Sequence, residues 1–216
     1  MSTNSYKTIA LKALLLCLGL IIPINGVGQE SNEKKTNYHF KGRISRSVLE
    51  SYLARSATVA SLLHLTLDDD LRMMQNTGVK FAGRVIWMWG GESKIEALIE
   101  KGTAFVKRIH KTDPDIILQG AIFEIITTDV NSVPIPASVF EEFNIEAVNR
   151  NFDYKKMIYP FGRRVNHWNR GASVPDMSQT ETKMWFFYVA KRWIDMGLEA
   201  IHFGQVEIGL LCTLFG

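Results

Sequence analysis

The sequence predicts an α/β fold built on a parallel sheet. Three observations lead there. Apolar runs of strand length alternate with stretches of helical periodicity over residues 48–207. The runs "VKFAGRVIWMW" and "DIILQGAIFEII" are almost continuously apolar, as strands buried on both faces are. No hairpin signal joins them, so each strand needs a crossover helix to reach the next.

The N-terminus stands apart from this pattern. Lys7 and Lys12 precede an uninterrupted apolar run over residues 13–22 (ALLLCLGLII), which Pro23 ends. Gly26 and Gly28 put small residues before Gln29. Ten apolar residues are too few for a hydrocarbon core of roughly 30 Å, so residues 1–28 read as a cleavable signal peptide, with a retained anchor as the alternative. A secreted or periplasmic protein is expected. Residues 29–39 are polar and read as a disordered leader, leaving 40–216 as the folded part.

Composition narrows the function. The whole chain carries 25 basic and 22 acidic residues, a net charge of +3. Without Lys7 and Lys12 of the signal peptide the balance is 23 against 22, with no basic stripe and no RNA-binding motif. Nucleic acid is not an expected partner, nor is a membrane once the signal peptide is gone. Of two cysteines only Cys212 would remain, so no internal disulfide is expected. Five tryptophans and 12 phenylalanines supply a core instead.

The elements follow in order. Ser47 to Glu50 has capping-box spacing and starts a helix, "VLESYLARSA". "TVASLLHLTL" is the candidate first strand, though a buried helix would read alike. Asp68, Asp69 and Asp70 open the next helix, where the macrodipole favours acids, and Gly78 closes it. The dipole explains these acids better than a metal does. "VKFAGRVIWMW" is the next strand. Ser93 to Glu96 is another capping box, and Ile95, Leu98, Ile99, Gly102, Phe105, Val106 and Ile109 form one face of the helix behind it. Past Pro114 comes "DIILQGAIFEII".

Residues 127–177, with Pro134, Pro136, Pro160 and Pro175, read as a long loop with exposed aromatics and a short helix near "ASVFEEF". Ser178 to Glu181 caps the last helix, whose face is Trp185, Phe186, Val189, Ala190, Trp193 and Met196. "LEAIHFGQVE" is the final strand. "MQNTGVKFAGRV" and "DMGLEAIHFGQV" form a weak internal repeat. About four βα units result, half of a (β/α)8 barrel of roughly 250 residues. The uncharged tail from Gly209 then suggests the front part of a longer barrel, against a compact domain closed by an edge strand.

Ligands of parallel sheets bind beyond the carboxyl ends of the strands. The residues expected there are Arg84, Trp87, Trp89 and Glu92, then Glu124 and Asp129, then His202, Gln205 and Glu207. Glu124 and Glu207 are candidate catalytic carboxylates, because glycoside hydrolysis uses two carboxyl groups across the scissile bond. Arg84, Trp89, Glu92, Asp129, His202 and Gln205 are candidate substrate-binding residues. Each has a plainer role as cap, ion-pair partner or core residue, and packing beneath the helices is expected of Trp87 and Trp89. His167 and Trp168, with Arg163, Arg164 and Arg170, make a basic aromatic loop, either substrate-facing or merely solvated. There is no Gly-rich phosphate loop, HExxH, CxxC or nucleophile elbow, so neither cofactor nor metal is expected. A carbohydrate-active barrel stands against a non-catalytic binding or scaffold domain.

"LTLDDDLRMMQNTGVKFAGRVIWMWGGE", "AIFEIITTDV", "GASVPDMS" and "IHFGQVE" together resemble a group of secreted bacterial proteins with a glycoside-hydrolase-like (β/α)8 barrel. The resemblance covers roughly residues 44–208. It implies that Glu207 ends the fourth strand as an acid/base, oriented by Gln205 or His202. The usual nucleophile would lie on a later strand, beyond this chain. Glu124 would replace it only in an inverting or atypical arrangement. As it stands the chain would be inactive.

Overall fold

The computed structural model describes residues 45–59, 67–206 and 208. The expected signal peptide and leader, and Glu207, lie outside these residues. Helix α1 (Arg46–Ala54) begins two residues earlier than the capping box suggests: Ser45 is its cap and its Oγ accepts from Val48 N at 3.3 Å. Strand β1 (Ser56–Thr58) follows at once, ahead of the apolar run expected to form it. Most of that run, residues 60–66, lies outside the description. Helix α2 (Leu67–Thr77) carries its three aspartates in the first turn, and Gly78 ends it at φ +67°.

Strand β2 (Phe81–Ile86) leads through a 3-10 turn to α3 (Ile95–Thr112), and β3 (Ile117–Ile122) follows. The Ser93 capping box does not form, because the 3-10 turn places Lys94 at the helix start without a side-chain cap. "DIILQGAIFEII" is not one strand. It breaks at Phe123 to Ile125, and β4 (Ile126–Thr127) pairs antiparallel with β5 (Ala172–Ser173) in a separate small sheet. Helix α4 (Ala137–Glu142), α5 (Thr180–Met196) and β6 (Ala200–Phe203) complete the order. Gln179 caps α5 by backbone alone, since Glu181 is committed elsewhere.

The four strands β1, β2, β3 and β6 form one parallel sheet in that spatial order, which is also the chain order. Chain order and uniform direction follow from crossover connections that all turn the same way. Helices α3 and α5 pack together on one face, and a Cβ at Gly102 would meet Met196 Sδ and Ile86 Cδ1 at 2.5 and 2.8 Å. At Gly120 the approach of α5 to the sheet is as tight, with Trp193 and Leu198 each 2.7 Å from such an atom. Leu71 and Met74 of α2 share a small crevice with Ile109 and Ile116, which sets α2 beside α3. Residues of alternate parity face away from these helices. Gln119 and His202 lie there, and the Arg84 guanidinium reaches the same side.

Residues 127–177 are more ordered than the prolines suggest. Phe140, Phe152, Tyr154 and Tyr159 are buried, while Phe161 at a loop tip is 96% exposed. This segment covers the outer side of α5, so Phe187 and Tyr188 are buried as well as the predicted face. Glu181 anchors it, taking Arg150 Nη1 and Nη2 at 2.5 and 2.8 Å and Asp153 N at 3.0 Å.

Candidate functional site

Phe123 and Glu124 follow the carboxyl end of β3, and His202 within β6 and Arg84 within β2 reach the Phe123 ring from the sheet. Glu124 follows β3 and is 6% exposed. Its Oε2 is buried and has no hydrogen-bond partner among the described residues. Desolvating a carboxylate without a partner is costly, so such an atom asks for an explanation. The space around it is set by Gly204: a Cβ there would collide with Glu124 Oε2 and lie 2.8 Å from Phe123 Cδ1. Gly204 in turn is held by its N–H to the Ile122 carbonyl at 3.0 Å, which extends the β3–β6 ladder. Trp168 Nε1 donates to the Glu124 carbonyl at 3.1 Å and fixes the backbone from the other side.

Arg84 reaches this place by an irregularity. The register shifts so that the five residues from Ala82 to Ile86 on β2 span the three from Leu118 to Gly120 on β3. Arg84 sits in that bulge at φ +57°, a left-handed conformation that costs a non-glycine residue about 1 kcal/mol or more. The bulge places its guanidinium 5.7 Å from the Phe123 ring centroid and 3.3 Å from His202 Nε2, across the face of β3. Burial, and then the Arg84 cation, hold the His202 imidazole below its ordinary 6.5. A neutral ring accepting the Arg84 N–H at Nε2 accounts for both. Among the described residues, Arg84 pairs with no carboxylate.

The aromatic strip runs through the site edge to face. Phe123 contacts Trp87 at 5.6 Å, Trp89 at 5.5 Å and His202 at 6.2 Å between centroids. Trp89 meets Trp168 at 4.9 Å, and Trp168 meets His167 at 4.7 Å. Trp87 and Trp89 were expected beneath the helices. Because β2 ends at Ile86, they lie past the strand instead, and Trp89 is 44% exposed.

The remaining candidates are elsewhere or occupied. Glu92 is 2% exposed and both its oxygens are taken by Thr127, Oε1 by the backbone N–H at 2.8 Å and Oε2 by the hydroxyl. It ties the turn after β2 to β4. Asp129 is exposed and receives the Ser93 hydroxyl at 3.4 Å. Gln205 is exposed in the turn after β6. Glu207 is outside the described residues. A crevice of about 20 Å³ between Phe123, Met88, Trp185 and Trp193 has room for water but not for a sugar ring. A ligand would therefore lie on the open side, against Trp89 and Arg84.

Comparison with protein-family models, with curated proteins and with solved structures finds no match to this chain. The site itself must carry the functional reading. Phe123 and Gly204 were not singled out from sequence. The signal for Phe123 was its place directly before Glu124, and Gly204 gave none, since its need arises only from what packs against it. No three His, Cys, Asp or Glu side chains cluster as a metal site among the described residues. No described helix is long and apolar enough to cross a membrane.

Proposed function

We propose that this chain is a secreted, glycoside-hydrolase-like protein built on part of a (β/α) barrel and acting on carbohydrate, with Glu124 as its buried carboxyl group. The observation that carries the proposal is the buried Glu124 Oε2, unpartnered among the described residues, next to Phe123 and with Trp89 exposed. A carboxyl group in that state takes a hydrogen bond from a sugar hydroxyl or exchanges a proton with a glycosidic oxygen. Indole faces match the apolar faces of sugar rings. The barrel part of the reading is supported by four parallel strands in chain order with α2, α3 and α5 along one face. Glu207 remains the proposed second carboxylate.

One observation favours binding without hydrolysis. Of the other candidate carboxylates described, Glu92 already accepts from Thr127 with both oxygens and Asp129 accepts from Ser93. The test is reducing-end release by the full chain from a panel of plant, algal and bacterial polysaccharides, beside binding measured by Trp fluorescence. Hydrolysis predicts release that Glu124→Gln lowers by about a hundredfold or more. Binding alone predicts a fluorescence change with no release. Neither signal from any glycan would end the carbohydrate reading.

A further inference from the structure

The aromatic strip has an arginine at each end. At one end the Arg84 guanidinium lies 5.7 Å from the Phe123 ring centroid. From Phe123 the ring contacts pass through Trp89, Trp168 and His167, and Arg164 Nη1 lies 3.4 Å from His167 Nδ1. Both arginines have left-handed backbones, at φ +57° and +60°. Strained backbone at two cationic positions of one surface is a feature of sites more than of scaffolds.

Cations gather in the loop that carries one end of this strip. Residues 157–175 contain Arg163, Arg164 and Arg170 and no acid. Among the described residues neither these three nor Arg84 forms an ion pair. The chain as a whole is close to neutral, so this cationic loop is a local feature. A guanidinium presents a planar fork that fits a carboxylate or sulfate with two hydrogen bonds. Rings between two such forks suit a chain of sugars that bears anions at intervals.

We infer that the ligand of this site is an anionic saccharide, its rings on Trp89 and Trp168 and its carboxylates or sulfates on Arg84 and Arg164. The inference rests on the carbohydrate reading above and adds the charge of the sugar. It assigns Arg84 and Arg164 as specificity-determining residues, with the bulge in β2 as the device that delivers Arg84.

The experiment is affinity electrophoresis and titration calorimetry of the full chain against polygalacturonate, its methyl ester, a sulfated galactan and phosphatidylglycerol vesicles. Binding of polygalacturonate or of the sulfated galactan, with the methyl ester at least about tenfold weaker, is the expected result. Which of the two acidic polymers binds identifies the anion. Arg84→Gln and Arg164→Gln should each weaken acidic-polymer binding by about tenfold, and Arg84→Lys less. Circular dichroism and a urea midpoint check that each variant is folded, and Arg164→Gln serves if Arg84→Gln is not. Equal binding of polygalacturonate and its ester overturns the inference while leaving the carbohydrate reading intact. Vesicle binding as tight as glycan binding overturns it in favour of an anionic surface. Absence of binding to every glycan overturns both readings.

Discussion

The Glu124 carboxylate lies directly against Gly204: a Cβ on the glycine would clash with Oε2 of the glutamate. The end of β6 is thus shaped around the side chain that follows β3. The backbone of one strand forms a wall of the pocket that holds the buried acid.

Gly204→Ala should therefore move Glu124 more than it unfolds the protein. The colliding atom is the far end of a flexible side chain, although the Phe123 ring edge at 2.8 Å must also shift. A stability loss of about 1–2 kcal/mol is expected from this overpacking. Displacing a reacting group by about an ångström costs on the order of a hundredfold in rate. Urea denaturation beside glycan release or binding measures both. Unchanged function in a folded Gly204→Ala protein would remove Glu124 from the site.

His202 makes stability depend on pH. Its folded pKa is lowered below 6.5 by burial and by Arg84, so the fold favours the neutral ring. The unfolded chain takes up the proton first as pH falls. The contribution is complete above 6.5 and is lost as pH drops through the lowered folded value. The urea midpoint of the parent chain should fall more steeply than that of His202→Gln between about pH 7 and about pH 5. Parallel curves would show that the ring does not titrate against Arg84.

The Arg150–Glu181 pair predicts the order of residues 127–177. Glu181 is 6% exposed on its side chain and Arg150 30%. Arg150→Met leaves the Glu181 charge buried with only backbone support and should cost about 2–3 kcal/mol. The double variant Arg150→Met with Glu181→Met should recover much of that loss, because no unpaired charge remains. Thermal melts of the three variants test it. Additive losses would mean that the two residues do not act as a pair.

Much of the scaffold was legible in the sequence. The spacing from Ile95 to Ile109 gave α3 and its buried face, and Gly78 marked a helix end that the structure realises at φ +67°. Caps were less legible. Ser47, Ser93 and Ser178 all have suitable spacing, yet Ser45, Lys94 and Gln179 hold the cap positions, since a turn upstream or a distant partner such as Arg150 overrides a local motif. The site was legible as a list of strand-end residues but not as an arrangement. Glu92 and Glu124 look equivalent in sequence, yet Thr127 donates to both oxygens of one while nothing described bonds Oε2 of the other.

The amino-acid sequence by itself determined the α/β alternation, the apolar faces of the helices and the supply of acids, arginines and rings beyond the strands. Periodicity and chain order are local properties, and they survive in one dimension. The tertiary structure alone decided that the "DIILQGAIFEII" run splits into two sheets and that a bulge carries Arg84 across β3. It also decided that Gly204 leaves room for Glu124, and that Trp168, 44 positions away, closes over it. Those outcomes depend on which groups compete for the same space and the same hydrogen bonds, and that competition exists only once the strands are side by side.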